Sequence, residues 1–319
     1  MRHLISLKEQ SKKDLMDILT ISAKIKEARK KGKLTDYLPN QTLIMLFEKT
    51  STRTRLSFEA GMTELGGHAI FLDAKSTQLS IGTDIKDEIR AIMRYGQVLM
   101  YRAVKASNVT LSASLNQIPV IDACSEKYHP CQALGDMLTM IEHSNGLKQI
   151  KKVVWLGIEN NVSNSLMTVC TKLGIRFVIV APDVNKPSID YELNKMADKT
   201  GLVERTLNLK SALKDADYVH TDTWMDMEFF KNGKVLPEFK KEYEGRIKTF
   251  MPYQLNGNLI DKYAPKAKIM HCMACHINYE ITRDAVDHNN SIIFDQAENR
   301  MHAQKGIIMW LLQKEKLVK

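Results

Sequence analysis

The sequence predicts an α/β protein with two doubly wound parallel-sheet domains joined by helices. Three observations indicate this. The 319 residues suffice for two domains, each with its own core. The composition, 44% apolar and 26% charged, is that of ordinary globular protein. From Lys151 onward, short β-rich runs alternate with helical patterns, which is typical of βαβ units.

The first half opens with a helix. Ser11 and Asp14 resemble a capping box, and a broad apolar face follows, made of Leu15, Ile18, Leu19, Ile21 and Ile25. The later runs predict strands at 42–47, 68–73, 98–104 and 119–124. Helices are predicted at 56–65, stopped by Gly66-Gly67, at 84–96, and from Pro130 to the "HSNG" at 143–146.

The second half predicts a parallel sheet. Its β-rich runs are "KVVWLGI" (152–158), "RFVIVAP" (176–182), "YVHTDTW" (218–224), "AKIMHCM" (267–273) and "SIIFDQ" (291–296). The last segment, 298–316, has the pattern of an amphipathic helix. We expect a hinge near 140–150, one domain of 1–146 plus the C-terminal helix 298–319, and a second of 147–297.

The charge suits an anionic partner. The chain has a net charge of +9, but its lysines are spread out rather than clustered with aromatics. This favours a small phosphorylated substrate over nucleic acid. No apolar run approaches the roughly 18 residues that span a membrane. The start lacks a secretory pattern, and the five cysteines are scattered. We therefore expect a cytoplasmic protein with reduced thiols and no membrane partner.

One motif suggests a metal or haem. Residues 272–276 read Cys-Met-Ala-Cys-His, the haem-attachment pattern, and His271 precedes them. Haem attachment normally requires an oxidising compartment, and structural zinc sites have two separated ligand pairs. The other Cys/His neighbourhood is His129-Pro130-Cys131, and nothing in the sequence brings the two together. Both remain weaker alternatives, and we expect no cofactor and no metal.

A stronger signal is the stretch Ser51-Thr52-Arg53-Thr54-Arg55, between a predicted strand and a predicted helix. Backbone N–H groups at a helix start form an anion site, and arginine adds a forked contact to phosphate. The stretch is neither a Walker loop nor a dinucleotide loop. Taken alone, Ser-Thr-Arg could equally be a polar N-cap.

The wider set of motifs resembles the aspartate/ornithine carbamoyltransferase family over essentially the whole chain. The motifs occur in the family's order: "FEKTSTRTRLSFE" (47–59), "HPCQALGD" (129–136), "NNVSNS" (160–165), "TDTW" (221–224), "HCMACH" (271–276) and "DQAENRMHAQK" (295–305). "HC" and "TDTW" resemble the ornithine branch, which has His-Cys-Leu-Pro-Ala-His where this chain has "HCMACH". Cys275 then completes Cys-x-x-Cys-His by accident.

The resemblance implies attack of an uncharged amine on carbamoyl phosphate in the cleft between the domains, without a metal or a covalent intermediate. With L-ornithine as acceptor, the products are L-citrulline and phosphate. The implied carbamoyl-phosphate-binding residues belong to the first domain and are Ser51, Thr52, Arg53, Thr54, Gln78, Arg102, His129, Gln132 and Arg300. Gln78 lies in a stretch resembling a loop that reaches a neighbouring subunit's site, and the family forms trimers. The family's Gly-Arg-Gly-Glu is altered here to Ser80-Ile81-Gly82-Thr83.

The second domain is implied to bind the acceptor. The implied acceptor residues are Asn161, Asp222, Asp226, Met227, Cys272 and Met273. Arg102, His129, Cys272 and Arg300 are the implied catalytic residues. Cys272 is either a thiolate that helps to deprotonate the amine or a packed, inert thiol.

Two departures from the family pattern leave alternatives open. Asp226-Met227-Glu228 replaces a Ser-Met-Gly loop. A carboxylate there would repel a substrate carboxylate and attract an ammonium group, so putrescine or lysine is an alternative acceptor; in the other case both acids face solvent. Ala274 replaces a proline that follows a cis peptide, so either the loop differs or a non-proline cis bond is retained. A paralogue that binds carbamoyl phosphate without turnover is a further alternative.

Overall fold

A computed structural model describes residues 1–225, 229–231 and 234–318. Two separate parallel sheets organise it, as the sequence predicts. The strands are β1 (Thr42–Phe47), β2 (His68–Asp73), β3 (Val98–Arg102), β4 (Val120–Asp122), β5 (Lys152–Glu159), β6 (Arg176–Val184), β7 (Val203–Arg205), β8 (Tyr218–Thr221), β9 (Phe230–Lys231), β10 (Lys234–Val235) and β11 (Lys268–His271). The short β9 and β10 form a separate antiparallel pair.

The helices connect and cover the sheets. They are α1 (Lys12–Lys30), α2 (Thr52–Glu64), α3 (Ile85–Ile92), α4 (Ala106–Ser114), α5 (Pro130–His143), α6 (Asn161–Leu173), α7 (Tyr191–Asp198), α8 (Leu209–Leu213), α9 (Lys240–Phe250), α10 (Gly257–Tyr263), α11 (Arg283–Val286) and α12 (Ile293–Leu311). Within the described part of the chain, no helix is long and apolar enough to cross a membrane.

Sheet order determines where the strand ends meet. The first sheet has the order β2-β1-β3-β4 and the second β11-β8-β5-β6-β7, and every pairing in both is parallel. The carboxyl ends of β1 and β3 therefore lie side by side, as do those of β5, β8 and β11. Ligands of open α/β sheets bind beyond such ends. The two sets of strand ends are where most of the predicted site residues lie.

The predicted capping box of the first helix is confirmed. The Ser11 side chain accepts from the Asp14 N–H, and the Asp14 carboxylate accepts from the Ser11 N–H. The buried residues of α1 include Leu15, Ile18, Leu19, Ile21 and Ile25, the face that the spacing predicts.

The predicted strand "SIIFDQ" is wrong. Ser291 makes an isolated bridge to Ile269, and α12 begins two residues later and continues to Leu311. Short apolar runs do not distinguish strand from helix by pattern alone. The burial pattern does not alternate as in a half-buried strand, because the consecutive Ile292 and Ile293 are both buried, whereas Phe294 is 63% exposed. The final helix thus starts before the predicted residue 298.

Helices α5 and α12 pack against each other between the sheets. A Cβ atom at position 135 would lie 3.0 Å from the Cα of Arg300. Gly135 therefore lets the two helices approach closely. This approach brings Gln132, one turn before Gly135, next to the side chain of Arg300.

Candidate active site

The anion-binding end of the site forms at the start of α2, beyond β1. Ser51 is the N-cap and accepts from the Thr54 N–H. Arg300 from α12 donates to the buried Thr54 hydroxyl at 2.6 Å, and Arg102 from the end of β3 lies 3.3 Å from the same oxygen. Side chains that are far apart in sequence thus converge on one helix N-terminus, which itself favours anions.

Four buried nitrogen atoms around this helix start have no hydrogen-bond partner among the described residues. The Nε atoms of Arg53, Arg102 and Arg300 and the Nδ1 of His129 are buried, without a hydrogen-bond partner in the described chain. Buried donors without partners are costly, and an anion with several acceptor oxygens would satisfy them. The arrangement is therefore suited to a phosphate-like dianion.

The pKa shifts of Arg300 and His129 also indicate a pocket suited to an anion. Burial, together with the nearby Arg102 and Arg53, lowers the pKa of Arg300 to about 10. Burial, followed by the charges of Arg300 and Arg102, lowers the pKa of His129 well below its usual value. His129 is therefore neutral near pH 7, with one ring nitrogen that donates a hydrogen bond and one that accepts. Lys49 also contributes to this shift; its place within "FEKTSTRTR" was the only sequence signal for it.

The remaining predicted phosphate-side residues differ in position. Gln132 is buried and accepts from Arg300 Nη1 at 3.2 Å. Thr52 begins α2 and is exposed. Gln78 is exposed in a short 3₁₀ helix after β2, outside the hydrogen-bonded group around Thr54.

A cleft of about 290 Å³ is lined by residues from both halves of the site. Its walls include Arg53, Gln132 and Arg300 from the anion-binding end, and His271 and Cys272 from the end of β11. The cleft thus brings a phosphate-type pocket and the strand ends of the second sheet to the same space.

The acceptor end is organised by Asp222, directly after β8. Its Oδ1 lies 2.8 Å from Cys272 Sγ, and its Oδ2 accepts from Asn160 Nδ2 at 2.7 Å. Asn160 is the N-cap of α6 and is not among the residues that the sequence predicts for the site. The available signal was the pair of adjacent asparagines in "NNVSNS". The predicted Asn161 instead donates to the carbonyl of Ser125 at 2.7 Å.

The protonation state of the Cys272 thiol distinguishes its two predicted roles, a thiolate base and a packed thiol. Burial, followed by the negative charge of Asp222, raises the pKa of the Cys272 thiol well above its usual value. The thiol is therefore protonated near neutral pH and donates to Asp222. This geometry favours a packed thiol over a thiolate base.

Substitutions of Cys272 test this. A serine hydroxyl can donate the same hydrogen bond to Asp222, so we expect Cys272→Ser to retain kcat within about tenfold, since one hydrogen bond contributes about 1 kcal/mol. Cys272→Ala should lose more, because Asp222 then lacks a donor. Steady-state rates across pH measure both. A loss beyond a thousandfold in Cys272→Ser would instead indicate a thiolate base.

The loop after β11 contains the apparent metal motif. Asp222, His271 and Cys272 each place one potential ligand atom within 4.8 Å of the others, but Cys275 is not in this group. Both His271 ring nitrogens already have protein partners: Nδ1 accepts from the Met273 N–H at 2.8 Å, and Nε2 lies 3.1 Å from Glu280 Oε1. A metal at His271 would have to displace one of them. The expectation of no metal stays a prediction.

Three further predicted positions remain. Met273 lies in the same loop with φ of 57°, and its peptide bond to Ala274 is cis, so the cis bond is retained without proline. Asp226 and Met227 lie outside the described residues.

Fold and site together define a two-domain α/β protein that has an anion pocket facing an acidic, hydrogen-bonding pocket across a cleft. The model of the aspartate/ornithine carbamoyltransferase carbamoyl-P binding domain matches residues 2–142. The model of the Asp/Orn binding domain matches residues 149–311. The chain belongs to the aspartate/ornithine carbamoyltransferase family.

Individual relatives match this chain over nearly their whole length. The ornithine carbamoyltransferase of Archaeoglobus fulgidus is 40% identical and is matched over 99% of both chains. Among solved structures, the ornithine carbamoyltransferase of Pyrococcus furiosus is 37% identical with a TM-score of 0.88, covering 98% of this chain and 97% of that one. The anabolic enzyme of Campylobacter jejuni is 33% identical with a TM-score of 0.85, covering 98% and 100%.

Proposed function

We propose that this protein transfers the carbamoyl group of carbamoyl phosphate to the side-chain amine of L-ornithine, giving L-citrulline and phosphate. The convergence of Arg53, Arg102 and Arg300 on the N-terminus of α2, each with a buried Nε lacking a partner, carries the proposal. Full-length relatives named ornithine carbamoyltransferase support ornithine as the acceptor over lysine or putrescine.

On the donor side, Ser51, Thr52, Arg53, Thr54 and Arg102 hold the phosphate dianion. As the C–O bond breaks, negative charge grows on the leaving phosphate, and preorganised cationic donors stabilise that charge. The positive end of α2 adds to this stabilisation.

The carbamoyl group is held by the buried part of the pocket. His129 and Arg300 polarise the carbonyl oxygen, and Gln132 contacts the carbamoyl amide. Neutral His129 is a suitable hydrogen-bond donor here because it adds no further positive charge beside two arginines. Fixing the carbonyl against the phosphate pocket exposes its carbon to the acceptor.

On the acceptor side, Asp222 and Asn161 hold the amino-acid head group of ornithine, and Cys272 and the Met273 carbonyl lie beside the attacking amine. The amine must arrive uncharged, because only its free electron pair can attack. Its proton then leaves with phosphate, which is the strongest base that the reaction produces in the cleft.

The assembly and location follow the same proposal. We assign residues 1–146 and the C-terminal helix 298–319 to the carbamoyl-phosphate domain, and 147–297 to the acceptor domain. The protein acts in the cytoplasm as a homotrimer or a multiple of trimers. Gln78, exposed at the edge of the first domain, then serves a neighbouring subunit's site.

A ureido-product assay tests the function. Purified protein is incubated with carbamoyl phosphate and, separately, with ornithine, lysine, putrescine and aspartate. We expect citrulline with ornithine and at most traces with the other amines. Product from another amine at a higher kcat/KM would reject ornithine as the acceptor, and no ureido product with any amine would reject the enzymatic function.

A further inference from the structure

A buried chain of side chains connects the two halves of the cleft. Arg300 Nη1 donates to Gln132 Oε1 at 3.2 Å, and Gln132 Nε2 donates to Asp136 Oδ1 at 2.8 Å. Gln296 Nε2 donates to the same Asp136 oxygen at 2.7 Å. Gln296 Oε1 in turn accepts from the backbone N–H of His271 at 2.9 Å. All of these side chains are at most 5% exposed.

Asp136 and Arg300 hold the Gln132 amide in one orientation from opposite ends. Arg300 only donates hydrogen bonds and therefore faces the Gln132 oxygen, while Asp136 Oδ1 accepts from the Gln132 NH₂ group and keeps it on the other side. The carbonyl oxygen of Gln132 then faces Arg300 and the anion pocket. In that orientation it can accept a hydrogen bond from an NH₂ group of a ligand, and it offers nothing to a methyl group.

Gln296 extends this control to the acceptor side. It lies in the first turn of α12 and bridges Asp136 on α5 to the main chain at the end of β11. The residue bridged at the end of β11 is His271, and Cys272 directly follows it. His220 Nε2, from the neighbouring strand β8, lies 3.2 Å from Asp136 Oδ2 and encloses the carboxylate from the other side.

We propose that Asp136 and Gln296 are positioning residues for the proposed reaction. Asp136 orients Gln132 so that the pocket selects a carbamoyl NH₂ group, and Gln296 holds the Cys272 loop in register with that pocket. The inference rests on the proposed function, because it assigns Gln132 to the carbamoyl amide. The residues belong to "HPCQALGD" and "DQAENR", in which only His129, Gln132 and Arg300 have assigned roles.

Two phosphonates that differ by one group test Asp136. Phosphonoacetamide ends in a carboxamide, whereas acetonylphosphonate has a methyl group in place of the NH₂. Titration calorimetry gives the ratio of their affinities. We expect the wild-type protein to prefer the carboxamide by about fivefold or more, the effect of one hydrogen bond.

In Asp136→Leu, which keeps the branched shape but removes both acceptors, this preference should fall to about one. Asp136→Asn should keep it within about twofold, because one amide oxygen can still accept from both glutamines. Thr139→Val, a buried change one turn further along α5, is the matched control and should leave the preference unchanged. If Asp136→Leu does not fold, Asp136→Ala provides the same comparison.

The outcomes separate the two proposals. Equal losses for both phosphonates, or an unchanged preference in Asp136→Leu, would overturn the role of Asp136. No binding of either phosphonate to the folded wild-type protein would instead contradict the carbamoyl-phosphate site itself.

Gln296→Leu tests the second half of the chain. The Gln132–Asp136 hydrogen bond remains in this variant, so the carboxamide preference should stay within about twofold, while kcat with ornithine falls about tenfold through the loss of one anchoring hydrogen bond. A normal kcat would overturn the positioning role of Gln296. Loss of the carboxamide preference would overturn the division of roles between the two residues.

Discussion

Arg53→Ala is expected to lower kcat/KM for carbamoyl phosphate by about thirtyfold to several thousandfold. Truncating one partner of a buried, hydrogen-bonded charge pair costs roughly 2–5 kcal/mol, and each 1.4 kcal/mol is about tenfold. Arg53 is the second residue of α2, its Nε is buried without an acceptor among the described residues, and its side chain lines the cleft. Initial rates of citrulline formation and the affinity for phosphonoacetamide should fall together.

The stability of the unliganded protein should not fall with the activity. Arg53 is among the charges that lower the pKa of Arg300, so its removal relieves repulsion in the empty pocket. We therefore expect a melting temperature equal to or above that of the wild-type protein. A protein that loses activity because it unfolds would show the opposite change.

Arg55→Ala is the matched control on the same helix. Arg55 is exposed, lies 2.9 Å from Glu59 and packs over the ring of Phe71, away from Thr54. Its activity should stay within about twofold of the wild type, since exposed ion pairs contribute little. Near-normal activity in Arg53→Ala, or equal losses in both variants, would contradict the phosphate role of Arg53.

Only some parts of this site consist of residues that are close together in the sequence. The Ser51–Thr54 anion loop could be predicted because its signal, hydroxyls and arginine between a strand and a helix, lies within a few residues. The partners of Thr54 could not be predicted from local pattern, because Arg102 and Arg300 reach it through strand order and helix packing. Their assignment depended on the resemblance to the family.

Predicting a strand where the chain is helical also hid the contacts of Gln296. Reading 291–296 as a strand placed Gln296 at a strand end, whereas it lies in the first turn of α12 and contacts Asp136 and His271. Asn160 is absent from the predicted site for a different reason. An N-cap asparagine has a sufficient local role, and its second contact, with Asp222, depends on the pairing of β5 with β8, which places the residues after the two strands side by side.

Asp222→Asn is expected to raise the KM for ornithine about a hundredfold and to leave the affinity for phosphonoacetamide within about threefold. Asp222 accepts from Asn160, from the Thr223 N–H and from the Cys272 thiol. An asparagine would turn an NH₂ group toward one of these donors. It would also remove the charge that, in the proposed complex, faces the ornithine ammonium. Losing a charge partner in a buried site costs roughly 2–5 kcal/mol, which brackets a hundredfold effect.

The test is specific because only the KM for ornithine should change, while the affinity for phosphonoacetamide is retained. Asp183→Asn changes an exposed carboxylate at the end of the neighbouring β6 and should alter neither constant. An equal loss of phosphonoacetamide binding in Asp222→Asn would mean that the substitution disturbs the whole cleft. An unchanged KM for ornithine would mean that the head group binds elsewhere. A selective rise would identify the carboxylate after β8 as the group that recognises the acceptor, because among the described residues no side chain of the anion pocket at α2 donates to it.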